Sequence, residues 1–307
     1  MKNILVFGSF NVDLVSRTPH MPLPGETVSG TGFSMGPGGK GFNQCIAAGK
    51  AGANAIMVAK TGNDSFSDIA IKKLNEVNLT TDYVIKEETL PTGTAIIMVE
   101  ETTSQNVIVV NAGANGSFND KDFEYLAPAF ENCDYLLTQL ETNIDAMERA
   151  IKIAKEKGAT VILNPAPVKE FSDEIYGMLD VITPNEIEAS ILTGIEIKSP
   201  EDALLASKVF FEKGVKKVII TLGKMGVLAA TPEEYKVFSN YDVKVVDTTG
   251  AGDAFNGGFV SALADGKEFF DAVFFGNIVS NLAVSKKGAA DAMPSRKEID
   301  EFIKNNA

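Results

Sequence analysis

Short apolar runs rich in β-branched residues alternate along the chain with stretches in which apolar residues recur every three or four positions. Between the runs lie helical patterns, most clearly at 143–157, and Ser199 followed by Pro200 has the features of a helix start. The alternation predicts βαβ units, and hence an α/β fold: a doubly wound, mostly parallel sheet with helices on both faces. The runs predicted as buried parallel strands are 3–9, 55–59, 135–139, 160–164, 181–185 and 217–223.

Two stretches, 14–36 and 91–111, interrupt this alternation. Both are β-rich and lack a helical pattern between their apolar runs, which is typical of a small antiparallel sheet inserted into an α/β domain. We therefore predict a β-sheet lid made of these two segments. The remaining segments, 1–13, 37–90 and 112–307, are predicted to form the α/β domain that binds nucleotide and substrate.

The composition is that of a globular chain. With 307 residues, 45% of them hydrophobic and 22% charged, the sequence can bury a full core. The formal net charge of −13, without any local block of lysine or arginine, argues against binding to nucleic acid or an anionic membrane. No apolar stretch approaches the roughly 20 residues of a membrane span. Since Cys45 and Cys133 form neither a disulfide framework nor a zinc pattern, we expect a soluble cytoplasmic protein.

The first glycine cluster contains a G-x-G-x-x-G pattern at Gly36, Gly38 and Gly41. A dinucleotide fingerprint needs a strand directly before the glycines and an acid after the next strand, but here the cluster follows the predicted lid and the next run ends at Lys60. The phosphate-loop pattern also fails, because Gly41 follows Lys40. Two interpretations stay open: a turn that opens a helix and lets a polar ligand approach the backbone, or a tight turn without a ligand.

A second glycine cluster, DTTGAGDAFNGG at 247–258, follows an apolar run and leads into a predicted helix. Backbone N–H groups at a helix start attract anions, so Gly250, Ala251 and Gly252 can form an anion hole. One interpretation makes Asp253 a general base that takes the proton of an attacking hydroxyl while these amides hold the charge of a phosphoryl group. The other makes Asp253 an ordinary N-cap of the helix.

Polar side chains also follow three other predicted strands. Asn185 and Glu188 lie three apart at a helix start, where they suit hydrated magnesium or simply cap the helix. The glycine turn in ITLGKMG, 220–226, suits an adenine or a phosphate, or an ordinary hairpin. Asn11 and Asp13 lie two apart and so on one side of an extended chain, where they can bind sugar hydroxyls or form Asx turns.

In this order these motifs resemble the ribokinase-like (PfkB) family of carbohydrate kinases over nearly the whole chain. The segments that carry the resemblance are GSFNVD, PGETVSG, GGKGFNQ, AGAN, TGND, NAGAN, LETN, LNPAP, TPNEIEA, LTG, ITLGKMG and DTTGAGDAFNGG. The signature ending in GAGD is complete. Three positions depart from the usual family pattern: Cys45 stands where the family usually has Ala, Ser or Thr, Asn277 where many members have a histidine near the adenine, and Ala292 where a serine is often found at a cation site.

The resemblance implies ATP-dependent transfer of a phosphoryl group to D-ribose at O5, giving D-ribose 5-phosphate. It makes Asp253 the base and Gly250, Ala251 and Gly252 the anion hole. The sugar-binding residues that it implies are Asn11, Asp13, Gly39, Lys40, Asn43, Glu141 and Asp253. The implied ATP site consists of Asn185, Glu188, Thr221, Gly223, Lys224, Gly226, Gly252 and Asn277, with Asn185 and Glu188 acting on Mg²⁺ and phosphate largely through water.

The resemblance further implies a monovalent cation, K⁺, beside the anion hole and a homodimer formed through the lid. The implied cation positions are Asp247, Thr249, Ala283, Lys286, Gly288 and Ala292. Two alternatives remain at this point. A related kinase for 2-deoxyribose, another pentose or a nucleoside would keep GAGD and differ in the sugar pocket. A non-catalytic sugar-binding regulator on the same fold would be expected to lose the base, whereas Asp253 is present.

Overall fold

Parallel β-strands with helices on both faces form the body of the protein. The computed structural model describes residues 2–103 and 105–306. Within them the strands are β1 Asn3–Phe7, β2 Asn11–Thr18, β3 Gly32–Gly38, β4 Asn54–Gly62, β5 Val84–Glu87, β6 Gly93–Glu100, β7 Asn106–Asn111, β8 Tyr135–Thr138, β9 Thr160–Leu163, β10 Val181–Ile182, β11 Lys217–Thr221, β12 Val227–Ala230 and β13 Tyr235–Phe238. The main sheet has the order β13-β12-β11-β10-β9-β8-β1-β4-β5. Its pairs are parallel, except that β12 runs antiparallel to both of its neighbours.

The helices cover the two faces of this sheet and divide the core in two. They are α1 Lys40–Lys50, α2 Ser67–Glu76, α3 Asp120–Glu131, α4 Ile144–Glu156, α5 Glu186–Thr193, α6 Pro200–Glu212, α7 Ala251–Ala264, α8 Phe269–Ala283 and α9 Arg296–Asn306. Successive residues of β1 point to opposite faces. Ile4 and Val6 pack with α1, α2, α7, α8 and α9. Leu5 and Phe7 pack with α3, α4, α5 and α6. The predicted doubly wound α/β fold is therefore confirmed.

A separate four-stranded sheet, in the order β3-β2-β6-β7, forms the predicted lid. Its outer pairs are antiparallel, but β2 and β6 are parallel, so the expectation of a purely antiparallel sheet was wrong. The reason is that β2 follows β1 and β6 follows β5, and both therefore leave the same edge of the main sheet in the same direction. The lid sheet extends slightly past the predicted 14–36, from Asn11 to Gly38, and the division into two domains stays a prediction.

The other elements for which positions were predicted lie close to those positions, whereas β5, β12 and β13 were not predicted. The predicted helix at 143–157 is α4, and Ser199 caps α6 by accepting a hydrogen bond from the amide of Asp202. The strand predicted at 181–185 ends early, at Ile182, because Asn185 caps the following helix α5. Across the described residues, no helix combines the length and the apolar character that a membrane span would need.

Candidate active site

Two connected cavities lie at the carboxyl edge of the main sheet, where β9, β10 and β11 end and α1 and α7 begin. The larger has a volume of about 740 Å³ and extends towards Tyr241 and Asn277. The smaller, of about 230 Å³, is lined by Lys40 and Asp253. Both cavities are lined by Asn185, Thr221, Thr248, Ala251 and Gly252. A ligand in the larger cavity can therefore place one end at the turn before α7, facing a second ligand beside Lys40.

The first glycine turn positions the start of α1 against the end of β1. Gly39 is the N-cap residue and has a φ of 89°, which favours glycine. A Cβ atom on Gly39 would lie 2.8 Å from the backbone nitrogen of Asn11, so the space also excludes a side chain. The strand before this turn, β3, belongs to the lid, in agreement with the rejection of a dinucleotide fingerprint. The turn thus brings the lid and the main sheet together at Lys40.

The second glycine turn forms the predicted helix start at the boundary between the cavities. Gly250 is the N-cap residue of α7, with a φ of 74°, and no side chain caps this helix. Two side chains hold the turn through its carbonyl groups: Asn256 Nδ2 donates to the oxygen of Gly252 and Ser280 Oγ donates to that of Ala251. The N–H groups of Gly250 and Gly252 stay available for an anion, whereas that of Ala251 donates to the carbonyl of Thr248 at 3.2 Å.

Asp253 lies in the first turn of α7, buried at the floor of the smaller cavity. Its Oδ1 accepts a hydrogen bond of 3.0 Å from Gln44 Nε2, and its Oδ2 accepts one of 3.1 Å from Asn43 Nδ2. The N-cap interpretation of Asp253 was therefore wrong, because its carboxylate faces α1 and Gly250 occupies the cap position. Burial raises the pKa of Asp253, while the charge of Lys40 and the two amide hydrogen bonds act against this rise.

Lys40 lies near three carboxylates, of which Asp253 and Glu188 line the smaller cavity with it. Burial alone would lower the pKa of Lys40, but Asp253, Glu141 and Glu188 outweigh it and raise that pKa. Glu141, directly after β8, is fixed by two hydrogen bonds to its Oε2, one from the backbone N–H of Lys40 at 2.9 Å and one from Ser9 Oγ. The ammonium group is thus held as a cation where a polar or anionic ligand would enter.

Asn11 and Asp13 lie on β2, next to the first glycine turn. Both lie within a regular strand, so the alternative of Asx turns was wrong. Asn115 Nδ2 donates to Asn11 Oδ1 at 2.9 Å, which leaves the Nδ2 of Asn11 to donate to a ligand. Burial, together with the charges of Glu141 and Asp253, raises the pKa of Asp13 to about 6. Of the predicted sugar-binding residues, Lys40 and Asp253 line the smaller cavity, and the others lie beside these two at the first glycine turn, on β2 or after β8.

The predicted ATP residues line the larger cavity, apart from Glu188, which lines the smaller one. The turn at 220–226 joins the antiparallel strands β11 and β12, so it is a hairpin turn whose residues also face the cavity. The side chain of Asn185 caps α5. In return, Glu188 Oε2 accepts a hydrogen bond from the backbone N–H of Asn185, which completes a capping box. Capping and cavity lining are therefore compatible at Asn185.

The predicted cation positions lie in two loops that meet beside Gly250. Asp247 accepts hydrogen bonds from the amides of Thr249 at 2.9 Å and Gly288 at 3.0 Å. Burial acts to raise the pKa of Asp247, but these hydrogen bonds outweigh it and the pKa is lowered. Ala283 is the last residue of α8, and the loop that follows it, with Lys286, Gly288 and Ala292, packs on the second glycine turn, with Ala289 against Gly250. Lys286 Nζ instead pairs with Glu298 at 2.6 Å, so only its backbone is available to a cation.

Sequence reasoning missed a group of buried polar residues behind the two turns: Ser9, Gln44, Asn115, Gln139, Asn164, Thr183 and Asn256. Several of these lie inside quoted motifs, such as Gln44 in GGKGFNQ and Asn115 in NAGAN. The sequence did contain a signal for these residues, because each is a polar residue at a position that is otherwise expected to be buried. Its partner could not be identified, because the contacts join residues far apart in the chain, such as Gln44 and Asp253.

Comparisons with known proteins agree with this architecture. The profile of the pfkB family carbohydrate kinases matches residues 1–296. A ribokinase of Haemophilus influenzae is 38% identical, over 99% of each chain. A deoxyribokinase of Salmonella typhi is 33% identical, also over 99% of each chain. The structure of Arabidopsis thaliana ribokinase complexed with ribose and ATP superimposes with a TM-score of 0.91 at 30% identity, covering 99% of this chain and 98% of that one. The chain therefore belongs to the pfkB family of carbohydrate kinases.

Proposed function

We propose that this protein catalyses the ATP-dependent phosphorylation of D-ribose at O5, giving D-ribose 5-phosphate. The observation that carries the proposal is the position of Asp253, a buried carboxylate of the smaller cavity that directly follows Gly252, a residue of the α7 N-terminus that lines both cavities. The family and the relatives named above support kinase chemistry with a sugar as acceptor. The smaller cavity has the size and the polar lining of a sugar site, and the larger suits a nucleotide.

In this proposal Asp253 takes the proton of the attacking hydroxyl. The ionised form of Asp253 is the active one, and the Asn43 and Gln44 amides favour that form. The backbone N–H groups of Gly250 and Gly252 would stabilise the negative charge of the transferring phosphoryl group, and that of Ala251 would join them by exchanging its hydrogen bond to Thr248 for one to the phosphoryl oxygen. Catalysis then rests on positioning and on electrostatic stabilisation, as is usual for phosphoryl transfer.

The Mg²⁺ site belongs at Asn185 and Glu188. Asn185 Oδ1 accepts hydrogen bonds from the amides of Ile187 and Glu188, so its Nδ2 is the group that can face a phosphate. The Glu188 carboxylate suits water molecules around a hydrated Mg²⁺. When bound, the ion neutralises phosphate charge.

The K⁺ site is proposed at the loops around Asp247, beside the anion hole. The carboxylate of Asp247 and backbone carbonyl groups of the 283–292 loop are oxygen donors of the kind that hard cations prefer. Because most of these donors are backbone atoms, the presence of Ala292 in place of a serine removes one side-chain oxygen and keeps the others.

The second candidate is a kinase for 2-deoxyribose, which the 33% identical deoxyribokinase keeps open. The polar pair Asn11 and Asp13 favours an acceptor with all its hydroxyl groups, because a buried polar group left without a partner costs binding energy. A non-catalytic sugar-binding regulator is less well supported, since the base, Asp253, is present and buried beside the smaller cavity.

The proposal is tested by a coupled ADP-release assay with ribose, 2-deoxyribose, fructose, fructose 6-phosphate and adenosine, each with and without potassium. We expect the highest kcat/KM with ribose, and activation by potassium. A higher kcat/KM with 2-deoxyribose would establish the second candidate, and no turnover with any acceptor would favour the regulator.

We also propose a homodimer formed through the lid and a cytoplasmic location. Every residue of β7 is exposed, including Ile108 and Val109 at 50% and 55%, and Phe33 on β3 is exposed at 73%. A second copy that packs on this sheet would remove these side chains from water and cover the free edge of β7. The cytoplasmic location rests on the composition and on the two buried thiols, Cys45 and Cys133.

A further inference from the structure

A chain of side-chain amides runs through the buried interior to the carboxylate of Asp253. Gln139 Nε2 donates to Gln44 Oε1 at 2.7 Å. Gln44 Nε2 in turn donates to Asp253 Oδ1 and to Asn164 Oδ1, both at 3.0 Å. The side chains of Gln44 and Gln139 are fully buried, at 0% exposure. Every polar atom of the Gln44 amide therefore has a partner, and both of its hydrogens point at acceptors.

The two acceptors, Asp253 and Asn164, decide which way the Gln44 amide faces, because Asn164 is itself fixed by the hydrogen bond from its Nδ2 to the carbonyl of Thr183. If the Gln44 amide were flipped, its Oε1 would lie against the oxygens of Asp253 and Asn164. Two hydrogen bonds would be lost among buried residues. The arrangement therefore presents a donor to Asp253 at all times.

We propose that Gln44 is a positioning residue for Asp253, whose amide holds the carboxylate in the orientation that faces the sugar hydroxyl. The inference rests on the proposed function, in which Asp253 is the base. A methionine would fill similar space without burying an amide, so packing alone gives no reason for a glutamine here. The hydrogen bond to Oδ1 restrains the carboxylate from the side of α1, and Asn43 restrains Oδ2.

Four charged side chains also face Asp253 from the surrounding elements: Lys40 from α1, Glu141 after β8, Glu188 from α5 and Asp13 from β2. None of them is replaced when Gln44 is changed. A shift in the pH profile of a Gln44 variant can therefore be assigned to the lost amide. Because the amide hydrogen bond favours the ionised carboxylate, its loss moves the acidic limb of the kcat profile to higher pH.

The test compares Gln44→Met and Gln44→Glu with the unchanged protein in steady-state assays over a range of pH. We expect Gln44→Met to lower kcat roughly 10- to 100-fold, with KM for ATP unchanged and the acidic limb at higher pH. Gln44→Glu should move the limb further, because an ionised glutamate cannot donate and adds a negative charge. The control is Ser261→Ala. Ser261 lies on α7, the same helix as Asp253, but does not line the cavity, and the variant removes the buried hydrogen bond from its hydroxyl to the carbonyl of Ala51.

Gln139→Met provides a second variant if Gln44→Met does not fold. It leaves the Gln44 donor in place but removes the hydrogen bond to Gln44 Oε1 and with it one restraint on this amide, so a smaller shift in the same direction is expected. Variants at Gln44 and Gln139 with the wild-type kcat and pH profile would overturn the proposal. So would a drop in kcat that matches the Ser261→Ala control and leaves the profile unmoved.

A readout without turnover separates this proposal from the proposed function. In urea unfolding, Gln44→Met should lower the midpoint less in an Asp253→Ala background than in the unchanged protein, because the partner is already absent. Equal shifts in both backgrounds would contradict the contact itself. If the unchanged protein phosphorylates no sugar while the two shifts differ, the proposed function fails and the pairing of Gln44 with Asp253 stands.

Discussion

Asp13 and Asp253 are carboxylic acids that burial pushes towards the neutral form, and their neighbours treat them differently. Asp253 accepts two amide hydrogen bonds and faces Lys40, all of which favour its charge. Asp13 faces the like charges of Glu141 and Asp253, which raise its pKa further. Ionisation of Asp13 therefore lowers the stability of the folded protein, as is common for groups that bind a ligand.

The first prediction concerns this cost. The pKa of Asp13 rises from 3.8 to about 6 on folding, so its contribution to stability is present below about pH 4 and is lost as the pH rises through about 6. Asp13→Asn removes the titration. We expect the variant to gain up to about 3 kcal/mol in unfolding free energy over the unchanged protein at pH 7.5, and little at pH 4. Urea unfolding at both pH values measures this, and a difference independent of pH would contradict it.

The second prediction concerns Lys40. Its ammonium group lies among the carboxylates of the smaller cavity, so Lys40→Ala should raise KM for sugar about 10-fold or more and affect KM for ATP less. Lys224→Ala is the matched control, because Lys224 lines the larger cavity. That variant should show the opposite pattern. A larger effect of Lys40→Ala on KM for ATP would place the nucleotide at the first glycine turn.

Among the elements, helix α1 depends on the glycine at its N-terminus. A side chain at Gly39 would be strained for two reasons. The backbone has a φ of 89°, which favours glycine, and a Cβ atom would lie against the backbone of Ser9 and Asn11. Gly266 offers a matched comparison, since its φ is 85° but nothing lies within 4 Å of the added Cβ.

We therefore predict that Gly39→Ala lowers the unfolding free energy by more than Gly266→Ala. The second variant reports the backbone conformation alone, at about 1 kcal/mol, and the excess in the first reports the contact with β2. Calorimetry of the two variants provides the comparison. Equal losses would show that the turn can move away from β2 without cost.

The elements were predictable where the local pattern decides them, and less so where distant contacts do. Strands β1, β4, β8, β9, β10 and β11 and helix α4 lie where the apolar pattern placed them, and α6 begins where its capping residues placed it, whereas β5, β12 and β13 of the main sheet were not predicted. The parallel pairing of β2 with β6 was missed because it depends on how two excursions leave the main sheet. The amide of Gln44 was missed as a site residue for a similar reason, since Asp253 lies 209 positions away. Residues that belong to a motif could be predicted from that motif, whereas the contacts between residues of different motifs could not.

For the molecule as a whole, the exposed lid predicts self-association. The adjacent residues Ile108 and Val109 point to opposite faces of β7, so Ile108→Lys with Val109→Lys places a charge on each face of this exposed edge strand. We expect a dimer for the unchanged protein and a monomer for the double variant in light scattering after size exclusion. Leu205→Lys, at an exposed leucine on α6, is the control and should remain dimeric. A double variant that also remains dimeric would place the interface elsewhere.

The proposed function depends most on Asp253 acting as the base that takes the proton of the sugar hydroxyl. The most direct measurement is therefore kcat for ribose phosphorylation by Asp253→Asn, together with the ribose dissociation constant from calorimetry. We predict that kcat falls by on the order of 10² or more while ribose affinity changes little, since the amide keeps the shape of the side chain and loses its basicity. Activity close to that of the unchanged protein, with ribose still bound, would contradict the assignment.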